Sequence, residues 1–208
     1  MANVLNKYGW DTITAPYSCN YISPKILKLL RLQSVNRICD VGSGNGALAG
    51  ELYREGYSVV GVEYSDDGVN IAKTKYPDIK FYKLGVQDDP EQLVKTEGNF
   101  EAVISTEVIE HLFSPHQLPI FCRGLLKEEG ILIISTPYHG YLKNLVLSLF
   151  NKWDHHHTAL WEGGHIKFWS RATLSKLLEK NGFKIEEFYG VGRCNFLWKS
   201  MIIVARKV

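Results

Sequence analysis

The chain has 208 residues, a formal net charge of +2 and a hydrophobic content of 45%. This composition is typical of a folded globular protein and excludes disordered, collagen-like and coiled-coil chains. The longest apolar run is shorter than the ~18–20 residues that a membrane-spanning helix needs, and the small net charge gives no basic signature for nucleic acid.

Short apolar strands alternate with helices from residue 37 onward. Gly56 and Pro77 mark the ends of the first two helices, and Ser114 is the expected N-cap of the third. Strands separated by helices indicate βαβ units, and their almost continuous apolar character indicates a parallel sheet covered on both faces. The predicted strands are 37–41, 58–64, 79–83, 101–105 and 131–135, and the predicted helices are 47–55, 66–75 and 115–127.

The alternation is interrupted at 137–168 and then continues with a helix over 170–181, which Ser170 caps. The strands 183–191 and 200–208 follow, and the link between them is too short for a crossover helix, so they should pair antiparallel. The expected α/β fold is a Rossmann-like, seven-stranded, mostly parallel sheet with helices on both faces and an antiparallel last strand.

The cysteines form no C-x-x-C pair, and a chain of this size and apolar content needs no disulfide framework. The first ten residues contain no apolar stretch of the signal-peptide type. We therefore expect a cytoplasmic protein with free thiols in a reducing compartment. The cysteines are Cys19, Cys39, Cys122 and Cys194.

A glycine-rich loop, residues 40–46, joins the first strand to the first helix. Glycine lets the backbone turn tightly and approach a ligand closely, and ligands of open α/β sheets bind beyond the carboxyl ends of the strands. Glu63 ends the second strand about 20 residues later, where an acidic side chain can hold two ribose hydroxyls. This combination predicts a site for a nucleoside-containing cofactor.

The same loop also satisfies the dinucleotide pattern G-x-G-x-x-A, so a NAD-dependent oxidoreductase is an alternative. Asp40 argues against it, because a carboxylate just before the loop would repel a pyrophosphate at the helix N-terminus. A carboxylate there suits a cofactor that carries an ammonium group and a sulfonium. A binding module that keeps the fold without catalysing a reaction is a further alternative.

The motif D-V-G-S-G-N-G at 40–46, Glu63, and the sequence 98–104 leading into the fourth strand resemble a class I S-adenosylmethionine-dependent methyltransferase. The resemblance covers residues 36–136, and the order of the seven strands extends it to the C-terminus. It implies an enzyme that transfers a methyl group from S-adenosylmethionine.

The resemblance also implies which residues hold this cofactor. Asp40 and the glycine loop would hold the methionine part, Glu63 the ribose and Tyr64 the adenine. Gln87 would contact the adenine edge, although Val86 stands where many members have an aspartate. The full set that the resemblance implies is Asp40, Gly42, Ser43, Gly44, Gly46, Glu63, Tyr64, Ser65, Gln87 and Thr106.

Two carboxylates and a histidine follow the fourth strand, in the sequence TEVIEHL at 106–112. If this turn is helical, Glu107, Glu110 and His111 share one face at spacings of three and four. Such a face can bind a divalent cation at the carboxyl edge of the sheet. In the alternative interpretation, Glu107 caps a loop and His111 packs against the cofactor pocket.

The pattern E-x-x-E-H together with a histidine in the sequence 164–170 is similar to two methyltransferase groups. They are the ubiquinone-biosynthesis O-methyltransferases and the small-RNA 3′-terminal 2′-O-methyltransferases. The resemblance implies a divalent ion, magnesium or another metal, that lowers the pKa of the accepting hydroxyl. We therefore expect O-methylation of a small molecule, with RNA 3′ ends as the alternative that the low net charge disfavours. The implied metal ligands are Glu107, Glu110, His111 and His165.

Several further side chains are candidates for the site. His111 and His139 are candidate catalytic residues; His139 follows the fifth strand, where it can act as a base or contact substrate, or face solvent from a loop. The histidine run 155–157 is interpreted as an exposed polar loop, with a flexible secondary metal site as the alternative. Six aromatic residues either line the site or belong to the core, and they are Tyr8, Trp10, Tyr17, Tyr21, Trp161 and Trp169.

The interruption contains an amphipathic pattern over 141–153, with a cationic polar face opposite an apolar stripe. It predicts one helix with three open interpretations: a lid packed on the domain, a peripheral contact with a membrane surface, or a homodimer contact. We expect 1–208 to form a single methyltransferase domain, with 137–168 as an insertion or lid within it. The stripe consists of Leu142, Leu145, Val146, Leu149, Phe150 and Trp153.

Overall fold

The computed structural model describes residues 14–157, 160–161 and 163–208, and at residue 155 it describes the backbone alone. The candidates Tyr8 and Trp10 lie outside these described residues. Within the described ranges, no helix combines the length and the apolar character that crossing a membrane requires.

Seven strands of the described chain form one sheet. The strands are β1 (Arg37–Val41), β2 (Ser58–Glu63), β3 (Lys80–Lys83), β4 (Phe100–Thr106), β5 (Leu126–Pro137), β6 (Phe183–Val191) and β7 (Ser200–Lys207). Their order is β3-β2-β1-β4-β5-β7-β6. Strands β1 to β5 pair in parallel, whereas β7 lies between β5 and β6 and is antiparallel to both. The predicted fold class, including the reversed last strand, is confirmed.

Eight α-helices accompany the sheet in the described residues. They are α1 (Cys19–Leu32), α2 (Ala47–Arg54), α3 (Asp66–Lys75), α4 (Glu91–Glu97), α5 (Gln117–Leu125), α6 (Tyr141–Leu149), α7 (Trp153–His157) and α8 (Arg171–Lys180). Helices α1, α2 and α3 pack on one face of the sheet, and α4, α5 and α8 pack on the other. The prediction did not include α1 or α4.

The strand side chains alternate between two apolar cores, because successive residues of a strand point to opposite faces. On β5, Leu132 and Ile134 belong to the core with α4, α5 and α8. Ile131 and Ile133 belong to the core with α1, α2 and α3. All four are fully buried or nearly so. A sheet covered on both faces therefore explains why its strands are continuously apolar.

The predicted helix 115–127 is wrong at both ends. Its N-cap is His116 rather than Ser114, and no side chain caps it. The helix stops early because Leu126 already pairs with Phe100 on β4, ahead of a β-bulge. Strand β5 consequently starts five residues before the predicted apolar run at 131–135, since it begins at Leu126.

The single helix predicted over 141–153 is also wrong, because the chain forms two helices there, α6 and α7. Between them, Asn151 has a positive φ of 50°, which a continuing right-handed helix does not allow. After the insertion, α8 begins with the Ser170 cap that the sequence predicts. The Ser170 hydroxyl accepts a hydrogen bond from the amide of Thr173, and the Thr173 hydroxyl accepts one from the amide of Ser170.

Helix α6 buries Lys143 of its predicted polar face and exposes part of its predicted apolar stripe. Lys143 is only 5% exposed, whereas Leu149 and Phe150 are 72% and 69% exposed. The Lys143 ammonium donates hydrogen bonds to the carbonyls of Tyr138 at 2.7 Å and Lys199 at 3.4 Å. The expectation that a lid would pack its apolar stripe inward is therefore wrong for Leu149 and Phe150.

Candidate functional site

A cavity of about 460 Å³ lies at the carboxyl ends of β1, β2 and β4. This is the edge of an open α/β sheet at which ligands bind. Gly44 and Gly46 do not line the cavity, and the other predicted cofactor residues do. Those are Asp40, Gly42, Ser43, Glu63, Tyr64, Ser65, Gln87 and Thr106.

The glycine loop is held against the end of β2. The amides of Gly42 and Ser43 donate to the carbonyl of Val62 at 2.8 and 2.9 Å. Gly42 has a φ of +75°, and a Cβ there would lie 2.4 Å from Cγ2 of Val108. A side chain at this position would meet both backbone strain and a collision, so the loop needs glycine to lie between β2 and the segment after β4.

Gly44 and Gly46 have structural roles that the motif does not reveal. The amide of Gly44 donates to Glu63 Oε2 at 2.9 Å, which orients the Glu63 carboxylate. Gly46 has a φ of +76°, and a Cβ there would lie 2.9 Å from Phe81 Cζ and 3.0 Å from Ala72 Cβ. Gly46 therefore lets α2 pack closely against α3 and β3, and it lies outside the cavity wall.

Asp40 and Glu63 place two buried carboxylates beside the cavity. Neither oxygen of Asp40 has a hydrogen-bond partner of normal geometry among the described residues. Burial, followed by the negative charge of Glu63, raises the pKa of Asp40 to about 7. Burial also raises the pKa of Glu63, although the amides of Ser65 and Gly44 oppose this effect. A ligand with a positive charge would satisfy these carboxylates, as predicted for the loop.

Glu107 leaves the predicted helical turn. The turn is a single 3-10 segment, Ile109–His111, and Glu107 precedes it with a positive φ of 53°. Its carboxylate accepts hydrogen bonds from the hydroxyls of Ser135 at 2.9 Å and Ser200 at 3.1 Å. Burial raises the pKa of Glu107 to about 7, although these hydrogen bonds and the positive charge of Lys143 each act to lower it.

Three of the four predicted metal ligands do meet. One ligand atom each from Glu110, His111 and His165 lies within 4.8 Å of the other two. Glu110 Oε1 is buried without a hydrogen bond and lies 4.0 Å from Nε2 of both His111 and His165. We call these three residues the carboxylate–imidazole cluster. Glu107 is not part of it, since its carboxylate is turned toward the two serines.

Backbone contacts explain why the insertion reaches the cluster. The amides of Ile166 and Lys167 donate to the carbonyl of Glu110 at 2.9 and 3.0 Å. His111 Nδ1 lies 2.7 Å from the carbonyl of Gly163, so the ring donates there and Nε2 faces Glu110. Burial lowers the pKa of His165 to about 4, helped by neighbouring imidazoles and Lys143. Burial also lowers the pKa of His111 from 6.5, so both imidazoles are neutral near pH 7, as metal ligation requires.

The two candidate catalytic histidines have different surroundings. His111 lines the cavity. His139 does not, because its amide bonds the carbonyl of Trp169 at 3.0 Å and its ring packs against His157 and Phe168. Burial, then the charge of Lys143, lowers the pKa of His139 to about 3. The structure thus places His139 outside the cavity wall, packed beside α7, and does not bring it together with His111.

Part of the cavity wall was missed by the sequence analysis. Pro16, Ser18 and Cys19, at the start of α1, line the cavity. Asn45 Nδ2 donates to the carbonyl of Thr14 at 2.9 Å and so ties this segment to the glycine loop. Asn45 lies inside the glycine motif, and its side-chain amide needs a hydrogen-bond partner. Nothing in the sequence, however, identifies the carbonyl of Thr14 as that partner.

The aromatic candidates divide between the core and the cluster. Trp169 is 9% exposed and belongs to the core with α8. Trp161 is 46% exposed and lies edge-on to His111 and His165, with ring centroids 5.9 and 6.1 Å away. Tyr21 lies on α1 and packs against the core formed with α1, α2 and α3. Tyr17, before α1, is exposed.

Comparison with known proteins shows which family this chain resembles. A family model described as a methyltransferase domain matches residues 17–187. A ubiquinone biosynthesis O-methyltransferase of Dinoroseobacter shibae is 30% identical over 196 residues, which are 88% of this chain and 73% of that protein.

Two solved structures share the fold. A Pyrococcus horikoshii protein has a TM-score of 0.70 at 19% identity, covering 94% of this chain and 93% of its own. The magnesium protoporphyrin IX methyltransferase of Synechocystis, with bound S-adenosylhomocysteine, has a TM-score of 0.66 at 19% identity, covering 89% of this chain and 82% of its own.

Proposed function

The chain belongs to the methyltransferase domain family, and from this premise we propose that it methylates an oxygen atom of a small molecule with S-adenosylmethionine. The observation that carries the proposal is one cavity that joins the glycine loop and Glu63 to His111. Cofactor-type residues and His111, one member of the carboxylate–imidazole cluster, thereby border the same space. Methyl transfer requires the cofactor and the acceptor to be bound side by side, because holding two reactants in the right geometry supplies much of the rate enhancement.

The cofactor end of the cavity fits S-adenosylmethionine because two buried carboxylates face it. Asp40, with two unpartnered oxygens, would take the ammonium group of the methionine part. Glu63 would accept the ribose hydroxyls, since its amide partners fix the carboxylate at the end of β2. Tyr64 and Gln87 line the remaining wall and would border the adenine. S-adenosylmethionine supplies the sulfonium methyl group when bound.

The carboxylate–imidazole cluster fits a divalent cation, because the buried Oε1 of Glu110 lacks a hydrogen bond and two imidazole nitrogens face it. Glu110, His111 and His165 would hold the ion. A carboxylate suits magnesium or manganese, and two imidazoles also admit softer transition metals. When bound, such an ion lowers the pKa of an acceptor hydroxyl. Thr136 holds the other Glu110 oxygen at 2.9 Å and so fixes the carboxylate.

We also propose that the protein is cytoplasmic and that α6 contacts a membrane surface, so that the protein is bound to the membrane peripherally. The outward side chains Leu145, Leu149 and Phe150 support this proposal because they are 38%, 72% and 69% exposed. The segment 138–153 contains no acidic residue, and its exposed Lys152 suits anionic lipid headgroups. A homodimer through the same face is the competing outcome.

Calorimetry with S-adenosylhomocysteine and NAD⁺ in parallel tests the cofactor. We expect binding of S-adenosylhomocysteine alone, and binding of NAD⁺ alone would contradict the proposal. Transfer of a labelled methyl group to catechol, with and without EDTA, then tests the acceptor chemistry. Label in a methoxy product that chelation diminishes is expected, whereas a protein that binds S-adenosylhomocysteine but transfers no label to a hydroxyl oxygen of catechol would contradict oxygen transfer.

A further inference from the structure

We propose that the methyl acceptor carries an acidic group, a carboxylate or a phosphate, and that Lys199, Arg193 and the Tyr17 hydroxyl bind this group beside the cavity. We call these three residues the anion patch. The inference rests on the proposed function, since it takes the bound anion to be part of the methyl acceptor. It narrows the acceptor to acidic hydroxyl compounds.

The charged residues are unevenly distributed along the chain, although its formal net charge is only +2. The segments 12–39, 138–153 and 188–208 contain no aspartate and no glutamate. Their charged side chains are lysines and arginines alone. Where such segments meet, the local potential is positive and attracts anions.

The three segments meet around Lys199, the residue before β7. Its ammonium donates a hydrogen bond to the Tyr17 hydroxyl at 3.1 Å and lies 4.3 Å from the centroid of the Tyr17 ring. Its carbonyl accepts a hydrogen bond from the Lys143 ammonium at 3.4 Å. Its amide donates to the carbonyl of Val191 at 2.9 Å, which closes the loop that carries Arg193. The start of α1, the start of α6 and the loop between β6 and β7 therefore share one place.

The cations at this place have no ion-paired carboxylate. Lys143, Arg193 and Lys199 form no ion pair with any acidic side chain of the described residues. Burial, followed by the charge of Arg193, lowers the pKa of Lys143 to about 8, although the charge of Glu107 opposes this effect. The hydrogen bond and charge of Lys199 lower the pKa of Tyr17, and Arg193 acts in the same direction. A bound anion would relieve the repulsion among these cations.

The donors of the anion patch suit an oxyanion. The Lys199 ammonium has three hydrogens, of which one is used on Tyr17, and a guanidinium offers five N–H donors. The Tyr17 oxygen accepts the bond from Lys199, so the hydroxyl keeps its own hydrogen for a ligand. Tyr17 and Arg193 are exposed and Lys199 is partly exposed, so a ligand can reach all three. Carboxylates and phosphates form charge-assisted hydrogen bonds with such donors.

The position of the anion patch indicates that its ligand extends from the cavity. Tyr17 stands between two residues that line the cavity. Ser200 directly follows Lys199, and its hydroxyl donates to Glu107, which also lines the cavity. The anion patch is thus one residue away from the cavity wall on one segment and borders a partner of that wall on another. An acceptor whose hydroxyl lies in the cavity can place an acidic substituent there.

Calorimetry with hydrocaffeate, a catechol that carries a propanoate chain, and with its neutral amide tests the acidic group. Both are titrated into the protein saturated with S-adenosylhomocysteine. We expect the wild type to bind the acid roughly tenfold more tightly than the amide, as for a charge-assisted hydrogen bond at a partly exposed site, and added NaCl to reduce this preference. Equal affinity for both compounds, or no binding of hydrocaffeate, overturns the inference. A wild type that does not bind S-adenosylhomocysteine contradicts the proposed function instead.

Lys199→Met and Arg193→Gln test the residues of the anion patch. The methionine keeps an apolar chain over the Tyr17 ring, and the exposed Arg193 can be replaced without loss of packing. Each variant should lower the preference for the acid to about threefold or less and leave the affinities for the amide and for S-adenosylhomocysteine within about twofold. Retention of the full preference in both variants overturns the inference.

The matched control is Lys28→Met, which removes the same charge from the same acid-free segment. Lys28 is exposed on α1 and lies about 13 Å along the helix from its first residue, Cys19. It should keep the preference for hydrocaffeate. A loss in Lys28→Met as large as that in Lys199→Met would assign the effect to net charge and overturn the anion patch.

Lipid headgroups are the other source of a phosphate, and cosedimentation with vesicles of phosphatidylcholine and phosphatidylglycerol distinguishes them. We expect Lys199→Met to bind these vesicles as the wild type does while it loses the preference for hydrocaffeate. A Lys199→Met variant that loses vesicle binding and keeps the preference for hydrocaffeate would assign the cations to lipid phosphates, and the inference would fail.

Discussion

His165 Nε2 lies 4.0 Å from Glu110 Oε1, although one residue follows β4 and the other lies in the insertion before α8. The backbone creates this relationship, because the Glu110 carbonyl accepts from the amides of Ile166 and Lys167. The insertion is thereby fixed over the carboxyl edge of the sheet. A cation site can form there only if this segment keeps its place.

Asp40→Asn should weaken S-adenosylmethionine and stabilise the protein without ligand. The pKa of Asp40 is raised to about 7 from 3.8, so the unfolded state releases its proton first and stability falls as pH rises from about 4 to about 7. The neutral amide removes this loss. At pH 8 we expect a higher melting temperature and roughly tenfold weaker calorimetric binding.

The control for this variant is Asp78→Asn, because Asp78 is exposed and does not line the cavity. It should change neither the melting temperature nor the affinity. If Asp40→Asn binds S-adenosylmethionine as tightly as Asp78→Asn does, the carboxylate does not contact the cofactor.

Gly46→Ala should destabilise the fold more than Gly56→Ala. Both positions have positive φ, +76° and +95°, so both variants incur about 1–2 kcal/mol of backbone strain. At Gly46 the new methyl also meets Phe81 and Ala72, whereas nothing lies within 4 Å at Gly56. Overpacking adds about 1–3 kcal/mol, which urea unfolding at pH 7 would measure as the difference between the variants.

S-adenosylhomocysteine affinity separates this packing role from a ligand contact. Gly46 lies outside the cavity wall, so Gly46→Ala should keep its affinity within about threefold under conditions where it is folded. A folded Gly46→Ala variant that binds S-adenosylhomocysteine much more weakly would indicate that Gly46 contacts the cofactor.

The sequence predicted those parts of the molecule that depend on local pattern. The strands, the capping of α8 by Ser170 and the glycine loop follow from periodicity and from residue types that adopt special backbone conformations. Contacts made by chain folding were not predictable, such as Ser200 bonding Glu107 across 93 residues. The burial of Lys143 also escaped prediction, because one of the two carbonyls that compensate it, that of Lys199, lies 56 residues away in the sequence, just before β7.

His139→Phe should reduce acid destabilisation. Burial lowers the pKa of His139 from 6.5 to about 3, so below pH 6.5 the unfolded state binds a proton that the folded state does not. Stability is therefore lost as pH falls from about 6.5 toward 3, by about 2 kcal/mol at pH 5. Urea unfolding at pH 7.5 and 5 should show a smaller pH effect in the variant. An identical pH effect in wild type and variant would mean that His139 is accessible to protons.

Replacing Leu149 and Phe150 by glutamine should abolish vesicle binding without destabilising the protein. The two side chains are 72% and 69% exposed, so little apolar burial is lost on substitution. The matched control is Leu32→Gln, because Leu32 is 70% exposed at the end of α1. Cosedimentation with vesicles of phosphatidylcholine and phosphatidylglycerol should retain wild type and Leu32→Gln but not the double variant. Equal sedimentation of all three proteins would remove α6 from the membrane contact, and a concentration-dependent dimer that only the double variant loses would assign this face to a second copy of the chain.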